Sequence, residues 1–256
     1  MICRLLLIGS AAMALSAQPG TPPRPGRGFG GMRFLGAEAG MPARVVKNAP
    51  YSAEMVTETT QVLADGNRIH QVITAHVYRD SDGRTRTEEP LNGLGALAPN
   101  SRFPTVVFIH DPVAGANYAL NPANKTATRS AWMPRGRGGQ GRGMRDFPGR
   151  GQNANSKTEN LPRQTIEGLP ADGTRVTMTI PAGQVGNERP IQTVTERWYS
   201  PDLQTVLLLK QSDPRVGETV MRLVNVSRAE PAHALFEVPA DYKIGEPGSR
   251  SHSGAR

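Results

Sequence analysis

The stretch from Tyr51 to Val77, YSAEMVTETTQVLADGNRIHQVITAHV, carries a strong β-hairpin signal. Its two halves are rich in Thr, Val and Ile, and Ala64-Asp65-Gly66-Asn67 joins them. Asp-Gly between two runs of this kind is a strong β-hairpin signal, because tight hairpin turns need residues that accept positive φ. In the second half, apolar residues alternate with polar ones, which places the two sets on opposite faces of a strand. The apolar set is Ile69, Ile73, Ala75 and Val77.

The same alternation continues along the chain. Further strands are predicted at 84–89, 105–110, 117–120, 125–132, 162–167, 174–180, 191–199, 203–210 and 219–226. We expect a turn at Ala171-Asp172-Gly173, and the one helical signal is a turn or two over Pro231–Phe236. No helical pattern of about 10–15 residues separates the strands, which argues against a parallel α/β sheet. The sequence predicts a mainly β fold: a single curved antiparallel sheet of ten or eleven strands, a half-barrel or open barrel, with one or two short helices.

The first 17 residues have the order of a secretory signal peptide. A basic start at Arg4 precedes an apolar run from Leu5 to Leu15, and small residues follow at Ser16 and Ala17, where we expect cleavage. The run is too short to span a bilayer, and no other segment approaches the roughly 18 apolar residues of a transmembrane helix. The single cysteine, Cys3, lies in this leader, which excludes a disulfide framework. We therefore expect a periplasmic or secreted bacterial protein.

Three segments lack hydrophobic periodicity and are rich in Pro, Gly or Arg. They are a linker at 18–49, an insert at 134–156 and a tail at 245–256, and we expect all three to be disordered around a β domain at 50–244. The net charge of +8 is concentrated there, since 18–49 and 134–150 each contribute +4. The folded parts are nearly neutral, so an acidic partner is expected only for the flexible segments. The insert residues chosen as contacts to an anionic surface are Arg135, Arg137, Arg142 and Arg145.

Motifs for catalysis and for cofactor or metal binding are absent from the sequence. His70 and His76 share a strand face but lie about 20 Å apart, too far to chelate one metal ion. The chain has neither a nucleophile elbow nor a phosphate-binding loop with its Lys-Ser/Thr ending. The Arg/Gly insert is similar to RNA-binding tracts, but behind a signal peptide we expect no nucleic-acid partner. We predict no catalytic, cofactor or metal site, and a hydrolase with an unrecognised site is the remaining enzymatic alternative.

Short motifs near the C-terminus point to a family. They begin with Glu196-Arg-Trp-Tyr-Ser-Pro-Asp-Leu203 and end with Glu230-Pro-Ala-His-Ala-Leu-Phe-Glu-Val-Pro-Ala-Asp-Tyr242, and Asp213-Pro-Arg-Val-Gly-Glu218 lies between them. Earlier, Ile109-His-Asp-Pro112 leads to Tyr118-Ala-Leu-Asn-Pro-Ala-Asn-Lys-Thr-Ala127. This order resembles the periplasmic lipoprotein-carrier-like superfamily, which includes outer-membrane lipoprotein-sorting proteins and an anti-sigma-factor partner with the same half-barrel. The Arg/Gly insert departs from the pattern of the carriers.

The resemblance implies an open, curved sheet whose concave face binds a lipid or an acylated protein. Met178, Trp198 and Met221 are the residues we expect to contact such a ligand, because large, adaptable side chains suit apolar pockets. The alternative is an envelope interaction or sensory protein that contacts an anionic surface or a protein partner through its basic segments. The alternation by itself does not assign the concave face, because a slip of one residue exchanges the two faces.

Overall fold

The computed structural model describes residues 45–90, 104–131 and 155–246 of the chain. Twelve β-strands form there, with a short 3-10 helix, His233–Phe236, between the last two. In the first half the strands are β1 (Tyr51–Val62), β2 (Arg68–Arg79), β3 (Thr85–Pro90), β4 (Thr105–Asp111), β5 (Ala116–Asn121) and β6 (Thr126–Ala131). In the second half they are β7 (Ser156–Ile166), β8 (Leu169–Ile180), β9 (Ile191–Ser200), β10 (Thr205–Asp213), β11 (Gly217–Ser227) and β12 (Lys243–Gly245).

All twelve strands belong to one sheet, in the order β12-β6-β5-β4-β3-β2-β1-β11-β10-β9-β8-β7. The two halves of the chain join where β1 pairs with β2 on one side and with β11 on the other. Neighbouring strands are antiparallel except β12 and β6, which run parallel. Among the described strands the sheet does not close, and β12 and β7 are at its two ends. The mainly β prediction of a single open sheet is confirmed, and the strand that the sequence missed is the three-residue β12.

Two predicted turns have different outcomes. The turn at Ala64–Asn67 is confirmed, since the Leu63 amide donates to the Asn67 carbonyl at 2.8 Å. The turn at Ala171-Asp172-Gly173 is wrong, because those residues lie inside β8. The β7–β8 hairpin turns at Glu167-Gly168 instead, with φ of 51° and 74°. Two successive positive φ angles are what a tight two-residue hairpin turn requires.

Residues 45–49 pack on the turn between β2 and β3, although composition placed them in the N-terminal linker. Val46 is buried, and the Asn48 amide donates to the Ser81 carbonyl at 2.9 Å. Gly83 in this turn has a φ of +88°, and a Cβ there would lie 2.7 Å from Val45 Cγ1. Val45 and Val46 therefore pack with the β domain, since they supply apolar cover for the turn.

Strand register assigns each residue to one of two faces, because directly opposite residues share a face and neighbours along a strand do not. One face, here the Met221 face, contains the opposed pair Leu209 and Met221. The other, the Trp198 face, contains the opposed pair Trp198 and Leu208. The assignment extends without a break in register through the parts of β2, β1, β11, β10, β9, β8 and β7 that form the cross-strand rows described below.

The main core lies mostly on the Met221 face, and Arg79 closes one end of it. Leu169, Ala171 and Trp198, which the register places on the Trp198 face, belong to the same buried cluster. Arg79 Nε donates to the Ala49 carbonyl at 2.9 Å, and Nη2 donates to the Leu203 carbonyl in the β9–β10 turn. The guanidinium lies 4.8 Å from the centre of the Tyr51 ring. Burial lowers the pKa of Arg79 and raises the pKa of Tyr51. On a flat sheet β2 and β10 would be three strand spacings apart, about 14 Å. The hydrogen bond from Arg79 to the Leu203 carbonyl therefore requires the β9–β10 turn to lie over the Met221 face.

A second apolar cluster lies on the Trp198 face of the β4–β6 region. Its buried members are Val107, Ile109, Leu120 and Ala127. The C-terminal segment packs on them through Val238 and Tyr242, and Arg86 Nη1 holds it by donating to the Leu235 carbonyl at 2.8 Å. The predicted helix over Pro231–Phe236 is the shorter 3-10 helix in this segment. The C-terminal segment thus covers one face of the sheet with almost no helix.

Candidate functional site

An uninterrupted row of uncharged side chains crosses seven strands on the Met221 face. Each member lies directly opposite the next, so the row is a continuous cross-strand ladder. From β2 to β7 its members are Gln71, Thr59, Thr219, Gln211, Thr195, Val176 and Thr158. We call this set the uncharged row. Cross-strand neighbours lie about 4.5–5.5 Å apart at Cβ, so their side chains form one surface.

The uncharged row is half-buried in its middle and exposed at its two ends, Gln71 and Thr158. Threonine presents a methyl group and a hydroxyl on the same Cβ. A ligand on this row can therefore make apolar contacts with the methyl groups, and the hydroxyl groups can donate and accept hydrogen bonds. The row has no charge that an apolar ligand would have to desolvate, a step that is costly when the charge is left unpaired.

Aliphatic side chains border the uncharged row near β8 and β2. Met178 and Ile180 follow Val176 on the same face of β8, and Ile191 of β9 lies directly opposite Ile180. All four are half-buried. On β2, Ile73 and Ile69 lie on either side of Gln71, and Ile69 is 37% exposed. The Met221 face therefore combines an uncharged polar strip with apolar borders at its β8 and β2 ends.

The adjacent residues of the same seven strands form a contrasting row on the Trp198 face. From β2 to β7 it contains Val72, Glu58, Val220, Lys210, Glu196, Arg175 and Glu159, each opposite the next. We call this set the charged row. Arg175 Nε donates to Glu196 Oε1 at 2.7 Å, and Arg222 Nη2 donates to Glu58 Oε1 at 2.6 Å. Opposite charges at neighbouring positions stabilise cross-strand pairs.

The strand register places the three residues predicted to contact a ligand on both faces of the sheet, although Met221 and Trp198 belong to one buried cluster. Met178 lies on the Met221 face next to the uncharged row and is half-buried. Met221 lies on the same face, one position closer to the core, and is 0% exposed. Trp198 lies on the opposite face, at 7% exposure. Met178 is thus the one of the three that a ligand on the Met221 face reaches without displacing other side chains.

Trp198 lies over Gly173, its opposite neighbour on β8. A Cβ on Gly173 would be 2.8 Å from Trp198 Nε1 and 2.7 Å from Leu161 Cβ, so a side chain at this position would collide with the ring. Lys210 covers the ring from the next strand, with Nζ 5.6 Å from its centre. Trp198 Nε1 is buried and makes no hydrogen bond within the described residues. This environment is that of a packing residue, and it explains why Gly173 is needed in the middle of a strand.

A half-buried carboxyl lies on the Met221 face of the first half. Glu89 of β3 is opposite Val106 of β4, and burial raises its pKa. Two positions away on β3, Thr87 is opposite Phe108, which is 38% exposed. Because burial penalises the charged form, this carboxyl retains its proton to higher pH than an exposed glutamate.

The structure leaves several sequence predictions outside its described residues. These are the signal peptide at 1–17, the basic insert and the four arginines assigned to an anionic surface, Arg135, Arg137, Arg142 and Arg145. Within 45–90, 104–131 and 155–246, no group of three or more His, Cys, Asp and Glu side chains could hold a metal ion. No helix in these ranges is long and apolar enough to cross a membrane.

Sequence reasoning did not identify the uncharged row. Its local signal is present, since Thr57-Glu-Thr59 and Thr193-Val-Thr195 repeat threonine with the period of a strand. The row itself depends on which residue of each strand lies opposite which residue of the next. That alignment connects residues as far apart as Gln71 and Thr219, and local alternation does not contain it.

No protein-family model matches the chain, and no curated protein sequence matches it significantly. Solved structures do resemble it. In the MucA/MucB complex of Pseudomonas aeruginosa the likeness has a TM-score of 0.46 at 13% identity, and it covers 83% of this chain and 62% of that one. This chain therefore spans less than two thirds of the length of that protein.

Two further likenesses concern proteins of the type predicted from the sequence. A LolA superfamily protein from Nitrosomonas europaea has a TM-score of 0.33 at 9% identity, over 80% of this chain and 96% of that one. A putative outer membrane lipoprotein-sorting protein domain from Vibrio parahaemolyticus has a TM-score of 0.27 at 9% identity, over 73% and 89%. Lipoprotein-carrier-like structures are thus among the solved neighbours of this fold, as predicted.

Proposed function

We propose that this protein is a non-enzymatic binding or carrier module for a ligand with an acyl chain, either a lipid or an acylated protein. The ligand lies on the Met221 face along the uncharged row. One observation carries the proposal: seven consecutive strands present no charge along this row, and aliphatic side chains border it near β8 and β2. The predicted signal peptide supports a periplasmic or secreted location for this activity.

The charge distribution favours an apolar ligand over a charged one. A charged group placed on the uncharged row would lose hydration without gaining a charged partner in the row, which is unfavourable. An acyl chain gains about 0.8 kcal/mol for each methylene removed from water. Burial of roughly ten methylenes thus corresponds to about 8 kcal/mol, equivalent to a dissociation constant near 1 μM before the costs of association.

Met178 and Thr177 provide a matched pair of positions to test the proposal. They are adjacent on β8, both are half-buried, and Met178 lies on the Met221 face while Thr177 lies on the other. A fluorescent fatty-acid analogue is titrated into the purified protein and into M178K and T177K. We expect micromolar binding by the wild type, a loss of about tenfold or more in M178K, and little change in T177K.

Mass spectrometry of the probe after incubation tests the non-enzymatic part of the proposal. We expect the probe to be recovered chemically unchanged. The proposal fails if several acyl probes do not bind the wild-type protein. It also fails if T177K weakens binding as much as M178K does, since the ligand would then not distinguish the two faces.

A further inference from the structure

The strand at one end of the sheet, β7, has a defined hydrogen-bonding phase around Thr158. Within the described residues β7 pairs with β8 and with no other strand. The Thr179 amide donates to the Asn155 carbonyl at 2.8 Å, and these residues occupy opposed positions of the two strands. Because hydrogen-bonded pairs recur at every second residue, Lys157 and Glu159 direct their backbone groups toward β8. Thr158, between them, directs its N–H and C=O away from the sheet.

Two opposite charges flank Thr158 on the same face. Lys157 and Glu159 both lie on the Trp198 face, and Lys157 Nζ is 2.9 Å from Glu159 Oε1. A second β7 strand, antiparallel and related by a two-fold axis through Thr158, would set Lys157 of each copy opposite Glu159 of the other. The two Thr158 residues would exchange two backbone hydrogen bonds. The edge is therefore self-complementary both in its charges and in its backbone groups.

Shifted registers are disfavoured by the same residues. A two-fold axis through residue 157 sets Lys157 opposite Lys157 of the other copy. An axis through residue 159 sets Glu159 opposite Glu159 of the other copy. Both registers are disfavoured, because like charges opposite each other are destabilising. An axis through residue 160 sets Pro162 opposite Thr158, and proline has no amide to donate. Pro162 also ends the pairing beyond residue 161. Among these neighbouring registers, one alone pairs opposite charges.

We propose that two copies of this chain associate through their β7 edges, antiparallel and centred on Thr158, to form one continuous sheet. Thr158 is also the last member of the uncharged row. The pairing therefore aligns the rows of the two copies end to end on the same side, over fourteen strands, seven from each copy. The binding of a ligand along this long row rests on the proposed function, whereas the association of the two copies does not.

Sedimentation velocity of the full chain over a range of concentrations tests the association. T158P removes the central outward-facing amide and no bond to β8, and T158V retains that amide as the matched control. We expect a dimer for the wild type and T158V, and a monomer for T158P with its melting temperature nearly unchanged. A wild type that remains monomeric at its highest soluble concentration would overturn the proposal, as would a T158P variant that remains dimeric.

Charge reversal tests the register independently. K157E and E159K each place like charges opposite one another twice in the dimer, so we expect each to raise the dissociation constant about tenfold. The double variant K157E/E159K restores opposite pairs and is expected to recover most of the affinity. Additive losses in the double variant would contradict the register. Acyl-probe binding is measured on the same samples: a dimer that binds no probe would refute the proposed function and leave the association standing.

Discussion

The uncharged row and the charged row occupy the same seven strands, one residue apart, and differ in almost every chemical respect. The charged row holds five ionisable side chains, with the ion pair between Arg175 and Glu196 in its β7 half, while the uncharged row holds threonine, glutamine and valine. The sheet between them is a single layer. One row thus presents charged groups to the solvent. The other can accept an apolar ligand along its length without desolvating a charge of the row, although Arg197 and Asp213 lie beside it on the same face.

The largest expected effect separates packing from binding. Trp198→Ala removes a buried ring from its position over Gly173, and we expect a loss of about 3–5 kcal/mol in the free energy of unfolding. Acyl-probe affinity measured below the melting temperature should change little, because Trp198 lies on the face opposite the uncharged row. Urea unfolding monitored by circular dichroism measures the first quantity.

Trp198→Phe keeps a ring at the same position, and it replaces the alanine variant in both measurements if that variant does not fold. Met178→Ala provides the converse case, with a smaller loss of stability and weaker probe binding. An alanine variant of Trp198 that keeps its stability but loses probe binding would reverse the roles assigned to the two faces.

A smaller effect is expected from reversing one charge. Glu196 lies between Lys210 and Arg175 in the charged row, so E196R brings three positive side chains together. These side chains are partly exposed, and we expect a loss of about 1 kcal/mol that shrinks as salt is added. Thr195→Arg is the matched variant on the Met221 face.

We expect T195R to weaken probe binding about tenfold, and E196R to leave binding unchanged. Equal losses of binding in both variants would show that the two rows do not differ in their contact with the ligand. Urea unfolding at low and high salt, with probe titration of both variants, provides the measurements.

Local patterning predicted much of the strand content and the assignment of residues to opposite faces within each strand. Ile69, Ile73, Ala75 and Val77 do share a face, and the Asp65-Gly66 turn forms where it was expected. The β7–β8 turn was misplaced because Asp172-Gly173 has the composition of a turn, whereas its glycine accommodates the Trp198 ring. The sequence shows a glycine at position 173, but it does not show which contact requires one there.

The site was less predictable than the fold because it depends on long-range register and on irregularities in the strands. Register shifts lie between Val206 and Leu208 on β10 and between Leu161 and Gln164 on β7, and each changes which face later residues occupy. Trp198 and Met221 were grouped as contacts to one ligand from their size and apolar surroundings. Their strand partners, which decide the face, come from distant parts of the chain.

Photo-cross-linking with an acyl chain that carries a diazirine shows which face of the sheet the ligand contacts. The labelled residues are identified by mass spectrometry after proteolysis of the irradiated complex. Ligand binding along the uncharged row predicts labels on alternate residues of each strand, such as Thr57, Thr59 and Gln61 on β1 and Val176 and Met178 on β8. Labels concentrated on Glu58, Lys210 and Glu196, or spread equally over both faces, would contradict it.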